Sequence, residues 1–180
     1  MAEARLQLVA RRVRSFPDFP QPGVLFRDMS PLLRDPEAFA ATIELLAEHL
    51  EARHRAKIDC VAGLDARGFL FGPSLAQKLG IGFVLIRKRG KLPGPTISTS
   101  YSLEYGQAEL EIQEDAIQPG QKVVIVDDLL ATGGTMSAAC KLVQSLKAEV
   151  LEGLTVVELT SLKGREKLAP IPFFSLLQYN

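Results

Sequence analysis

The chain has no tryptophan, only two cysteines and two histidines, and no long apolar run. Each scarcity closes off a class of function. No stretch approaches the roughly 18 apolar residues of a transmembrane helix. Glu3 and Arg5 put charge where a secretory signal would hold its apolar core. A cytoplasmic protein with no membrane partner is therefore expected. Cys60 and Cys140 each lie in an apolar segment and read as buried free thiols rather than a disulfide. His49 and His54 fall late in a charged helical stretch; they are expected to face solvent, and with Cys60 they make no metal-ligand spacing. Charge of neither sign prevails, since 21 Lys and Arg balance 21 Asp and Glu, so nothing suggests a nucleic-acid partner. Internal repeats and low-complexity segments are missing. So are the G-x-x-x-x-G-K-[ST] and G-x-G-x-x-G loops.

What remains is a globular composition, 47% hydrophobic and 23% charged over 180 residues, enough for one domain with a real core spanning residues 1–180. The most informative stretch is V-V-I-V-D-D-L-L-A-T-G-G-T, Val123 to Thr135. Its four apolar residues suit a parallel strand buried on both faces. Asp127 and Asp128 follow where that strand would emerge. Ala131, Thr132, Gly133, Gly134 and Thr135 are small enough to expose backbone N–H groups, and a helix is expected over Met136–Lys147. A loop entering a helix N-terminus suits phosphate, and two carboxylates can accept hydrogen bonds from adjacent sugar hydroxyls. A phosphorylated sugar fits both halves.

Upstream, Ala4–Phe16 reads as an amphipathic helix. Pro17–Pro31 carries Pro17, Pro20, Pro22 and Gly23, which argue against regular structure, yet also Phe19, Leu25 and Phe26, which a solvated linker would not. Either it is a packed connection, or it is a hood clamping a flat ligand, with Phe26 on the ligand's face and backbone groups near Leu25 and Arg27 reading its edge. Asp35 should cap a helix with Pro36 at its first position. Strands are expected at Ile58–Gly63, Phe83–Ile86, Leu151–Leu159 and Phe173–Leu177. Between the first of these and its helix, Gly63-Leu64-Asp65-Ala66-Arg67-Gly68 offers a second anion site or an ordinary turn. Arg87, Lys88, Arg89 and Lys91 crowd four cations into five residues. Residues 92–113 are rich in hydroxyls and alternate around Gly106, which suggests a two-stranded flap. No chemistry attaches to Leu162–Ala169.

The 123–135 string resembles the signature of the type I phosphoribosyltransferases, and F-P-x-F-P-x-P-G-V-x-F-R-D near the N-terminus is similar to their adenine-specific members. The resemblance implies a three-layer α/β fold, a mostly parallel sheet flanked by helices, with a hood (residues 1–34, including the first helix) and a mobile catalytic flap (92–113). It implies transfer of a phosphoribosyl group from 5-phosphoribosyl 1-pyrophosphate to adenine, giving AMP and pyrophosphate, in a homodimer. Magnesium would arrive with the substrate, without dedicated protein ligands. Arg67, Lys88 and Glu104 become the catalytic candidates. Leu25, Phe26 and Arg27 would bind the base, with Asp65, Ala66, Arg87, Lys91 and Tyr105 as further substrate contacts. A strained or cis peptide is implied near Asp65. Asp127, Asp128 and Ala131–Thr135 keep the roles read above. Two rivals stay open: a 6-oxopurine phosphoribosyltransferase, and a non-catalytic regulator that binds the sugar pyrophosphate.

Overall fold

The computed structural model describes residues 1–103 and 105–180, so Glu104 lies outside the described residues. In chain order the main elements are α1 (Ala2–Arg11), β1 (Arg14–Pro17), β2 (Leu25–Asp28), α2 (Ser30–Arg34), α3 (Pro36–Arg53), β3 (Cys60–Leu64), α4 (Gly72–Leu79), β4 (Gly82–Lys88), β5 (Thr96–Leu103), β6 (Gly106–Gln113), β7 (Lys122–Leu130), α5 (Gly134–Ser145), β8 (Glu149–Leu159) and β9 (Phe173–Tyr179). Short 3₁₀ turns occupy Arg67–Leu70, Thr160–Leu162 and Gly164–Lys167.

The central sheet runs β5-β6-β4-β3-β7-β8-β9. From β4 to β9 the pairings are parallel; β6 joins β4 antiparallel and carries β5 as an edge hairpin. This is the α/β architecture with a mostly parallel sheet that the resemblance implies. Strand alternation divides the apolar run of β7 between two cores. Val124 and Val126 pack with Val61 against the side holding α1, α3 and α4. Val123 and Ile125 pack with Ala62 against Met136, Ala139 and Val143 of α5. Burial on both faces is why the run lacks a polar alternate, and each of these side chains contributes roughly 2 kcal/mol. Cys60 and Cys140 are buried free thiols, and desolvation pushes both up to about 11.

Winding proceeds from β3 to β4 in one direction and from β7 through β8 to β9 in the other. The direction therefore switches between β3 and β7, which pair from Cys60–Val123 to Gly63–Val126. Open α/β sheets place ligands beyond the strand ends at such a crevice.

Three expectations need correction. The Pro-rich N-terminal stretch is irregular only between residues 18 and 24, because β1 and β2 flank it as an antiparallel ladder from Arg14–Asp28 to Pro17–Leu25, and α2 starts at Ser30. Pro17 ends its strand and Pro31 falls in the first turn of α2, two places where a missing N–H is tolerated. The first helix stops at Arg11, and after Arg12 and Val13 the residues from Arg14 to Phe16 belong to the ladder instead. His49 and His54 do not face solvent. Both bond the buried carboxylate of Glu152 on β8, at 2.7 and 2.6 Å, and the His49 ring stacks on Phe174. The expected cap does form: Asp35 accepts the N–H groups of Glu37 (3.0 Å) and Ala38 (3.1 Å).

Candidate functional site

Two loops meet at the switch point. The first leaves β3 at Leu64, and its Asp65–Ala66 peptide is cis, as the resemblance implies. The loop then lies directly on the end of β7. A Cβ at Gly68 would come within 2.6 Å of the Val126 carbonyl oxygen, so only glycine permits this approach. That seating brings the Arg67 guanidinium to Asp128, with Nε 2.8 Å from Oδ2.

The second loop leaves β7, which runs on to Leu130, so Asp127 and Asp128 are still strand residues. Asp128 is buried; Asp127 is half-buried and accepts the Asp128 N–H at 2.8 Å. Desolvation, then the neighbouring Asp128 charge, drives the Asp127 carboxyl well above its ordinary range. Gly133, at φ +86°, makes the turn into α5, whose first N–H groups receive no side-chain cap. Arg67, Asp127, Asp128 and the whole Ala131–Thr135 loop line one cavity of about 210 Å³. Its donors are amides and hydroxyls at a helix N-terminus, and its acceptors are two carboxylates. That combination suits a phosphate joined to a polyol.

A second cavity, about 240 Å³, adjoins it and shares Arg67 and Asp128 as its wall. Phe26, Met29, Leu33, Leu70 and Phe71 give it an apolar lining, with Arg27, Asp28 and Ser30 beside them. The Arg67 guanidinium sits 5.9 Å from the centroid of Phe26, whose ring is steadied edge-on by Phe19 at 5.1 Å. The Arg27 side chain is otherwise engaged. It donates to the Ser15 hydroxyl at 2.6 Å and lies over the Tyr179 ring at 4.0 Å. The space suits a flat, largely apolar ligand beside a polar one.

Of the described candidate residues, the structure brings Phe26, Arg27, Arg67, Asp127, Asp128 and Ala131–Thr135 to the walls of these two cavities and leaves the others outside them. Leu25 is exposed and lines neither cavity. Asp65 and Arg87 pair with each other at 3.2 Å instead of lining them. Ala66, Lys88 and Lys91 are exposed, Tyr105 is 89% exposed, and none of the four lines either cavity. The Lys91 N–H, like that of Gly90, bonds the buried carboxylate of Glu111. Asp28, Ser30 and Leu70 line the apolar cavity without having been foreseen. Asp28 is held down to about 2 by its bonds to Ser30 and then by Arg14. Only an acidic residue followed two positions later by serine marked that turn in the sequence, and this pattern is too common to be a signal. Among the described residues no group of three or more His, Cys, Asp or Glu is placed to hold a metal ion. Nor is any helix long and apolar enough to cross a membrane.

The sequence model of the phosphoribosyl transferase domain matches residues 28–171. The chain belongs to the phosphoribosyltransferase family. It is 76% identical to the adenine phosphoribosyltransferase of Rattus norvegicus over 179 residues, covering 99% of each chain. Among solved structures it superposes on the Saccharomyces cerevisiae adenine phosphoribosyltransferase, complexed with an imino-altritol bisphosphate and adenine. That match has a TM-score of 0.94 and 46% identity, covering 97% of this chain and 99% of the yeast one. The Trypanosoma brucei adenine phosphoribosyl transferase, in complex with AMP, pyrophosphate and ribose-5-phosphate, matches at 0.88 with 26% identity, over 97% of this chain and 79% of that one.

Proposed function

We propose that this chain transfers the phosphoribosyl group of 5-phosphoribosyl 1-pyrophosphate to adenine, releasing AMP and pyrophosphate. The observation that carries the reading is the pair of adjoining cavities, one acidic and amide-lined, one roofed by Phe26, sharing Arg67 and Asp128. The high identity to adenine phosphoribosyltransferases supports the choice of base.

In this reading the Ala131–Thr135 amides and the Thr132 and Thr135 hydroxyls hold the 5-phosphate. Asp127 and Asp128 accept from the 2- and 3-hydroxyls. Adenine lies on Phe26, its edge read by main-chain groups near Leu25 and Arg27. The Asp65–Gly68 loop faces the pyrophosphate, with Arg67, Lys88, Arg87 and Lys91 supplying positive charge and Tyr105 a contact from the flap. The bond from the anomeric carbon to the pyrophosphate oxygen breaks, and its electron pair leaves with pyrophosphate. A purine ring nitrogen attacks the opposite face and loses its proton. Glu104 is assigned to the purine N7 or to that proton. Positioning and charge stabilisation in a closed, dry site do most of the work.

The cleft fits a magnesium ion that arrives on the substrate. The ion would sit on the pyrophosphate and sugar hydroxyls and keep much of its water, with Asp127 and Asp128 of the cleft bonding those hydroxyls rather than the ion. Magnesium would neutralise charge on the departing pyrophosphate. Family membership supports a homodimer, in which a neighbouring subunit would use the cations lying outside the cavities. The chain is assigned to the cytoplasm, and residues 1–180 to one catalytic domain.

Purified protein with the sugar pyrophosphate and magnesium should form AMP from adenine and nothing from hypoxanthine or guanine. IMP or GMP instead would discard the assigned base. Binding of the sugar pyrophosphate with no nucleotide formed would favour a regulator.

A further inference from the structure

The segment after β8, S-L-K-G-R-E-K-L, has no part in the chemistry above, yet it touches the phosphate loop backbone to backbone. A Cβ built on Gly133 would overlap the carbonyl oxygen of Gly164. A Cβ built on Gly164 would overlap the carbonyl oxygen of Ala131 and lie 3.0 Å from Leu130 Cγ. Two glycines thus face each other across the loop, each needed for the other's approach. Gly164 is buried and follows Lys163, which holds a left-handed conformation at φ +54°.

The next residue anchors the contact. Arg165 makes a bidentate ion pair with Glu158, whose carboxylate is buried and also accepts from the Ser175 hydroxyl at 2.7 Å. The Arg165 guanidinium further donates to the Phe173 carbonyl at 3.3 Å and lies 5.2 Å from the centroid of that ring. Glu158 pairs in register with Leu130, the last residue of β7 before the loop. A rigid bracket on β8 and β9 therefore ends in a glycine pressed against the loop proposed to hold the 5-phosphate.

We propose that Gly164, fixed by the Arg165–Glu158–Ser175 bracket, is a positioning residue that sets the shape of the Ala131–Thr135 loop and so the affinity for the sugar's 5-phosphate. The inference rests on the proposed function only in taking that loop as the phosphate site. Loop amides act through geometry, and displacements near 1 Å are enough to spoil it. The flat-ligand cavity shares no residue with the bracket, so base affinity should not follow.

The test measures ribose 5-phosphate binding by titration calorimetry, the two Michaelis constants and the melting temperature, for wild type, Gly164→Ala, Arg165→Met and Arg165→Lys. Gly164→Ala should weaken ribose 5-phosphate binding by roughly ten-fold or more and raise the KM for the sugar pyrophosphate in parallel, with the adenine KM unchanged. Arg165→Met should move the same two quantities less, and Arg165→Lys should recover part of that loss. Unchanged ribose 5-phosphate affinity in folded Gly164→Ala would overturn the proposal. So would losses spread equally over both substrates and tracking the melting temperature. If Gly164→Ala does not fold, the Arg165→Met binding constant decides by the same criterion. Wild type that binds ribose 5-phosphate but forms no nucleotide would sink the proposed function and leave this inference to the binding data.

Discussion

Two buried glutamates on β8 contrast with the half-buried Asp127 at the switch point. Glu152 accepts from both His49 and His54, and Glu158 from Arg165 twice and from Ser175. Both carboxyls lie below their ordinary range. For Glu152 desolvation is the largest influence and pushes up, but the two histidine bonds and their charges outweigh it together; for Glu158 the Arg165 bond dominates. At the switch point the arrangement is reversed. Asp127 has one backbone N–H for company and a like charge beside it, and it is driven up. The structural carboxylates are saturated by the protein, whereas the cleft carboxylate waits for donors. Sugar hydroxyls are donors, and that difference is what the functional reading uses.

The contrast carries opposite pH signs. Glu152 and Glu158, depressed in the folded state, contribute stability above the ordinary carboxylate pKa of about 4 and lose it as pH falls through their lower folded values. Asp127, raised in the folded state, favours folding below that value, and the contribution is lost as pH rises through its raised one. At neutral pH an ionised Asp127 therefore works against the fold.

The sharpest way to break the comparison is Asp128→Asn, which removes the charge that Arg67 and the ribose share. It should lower kcat/KM for the sugar pyrophosphate by about 100-fold, or roughly 2.7 kcal/mol. Unchanged kinetics would end the ribose assignment. Glu152→Ala should leave both Michaelis constants alone and destabilise the fold by roughly 2–3 kcal/mol in urea titration, because two histidine rings lose their partner. A shift in kinetics without one in stability would contradict its structural role. Phe26→Ala should raise the adenine KM about ten-fold, near 1.4 kcal/mol, and leave the sugar pyrophosphate KM unchanged. An unaltered adenine KM would move the base elsewhere. The smallest effect is the most diagnostic of the contrast. Asp127→Asn should raise folding stability at neutral pH by about 1 kcal/mol while lowering activity, since it removes one charge of a close like-charge pair. A loss of stability would mean that Asp127 is already satisfied.

Much of this could be read in the sequence, for local reasons. Burial on both faces writes β7 as an unbroken apolar run, the Asp35–Pro36 cap is a local hydrogen-bond pattern, and Thr132–Thr135 is a loop that only small residues build. What stayed hidden depends on contacts between distant residues. His49 and Glu152 lie 103 residues apart, and no helical periodicity reveals that a strand brings a buried acid beneath that turn. No chemistry could be attached to the segment holding Gly164, because its neighbour is the carbonyl of Ala131, across the end of the sheet. The β1–β2 ladder was obscured by prolines that sit at the end of β1, in the connecting turn and in the first turn of α2. Exposed Lys88, Lys91 and Tyr105 line neither cavity, and it was the resemblance that put them among the site candidates.

The most direct measurement is a carboxylate titration by carbon NMR on the protein alone and with saturating ribose 5-phosphate. Asp127 should titrate above the ordinary carboxylate range in the free protein, Glu152 and Glu158 below it, and sugar binding should pull Asp127 down as hydroxyls donate to its ionised form. If Asp127 titrates with the surface carboxylates and ignores the sugar phosphate, the pair is not held in reserve for a ribose, and the account of the cleft is wrong.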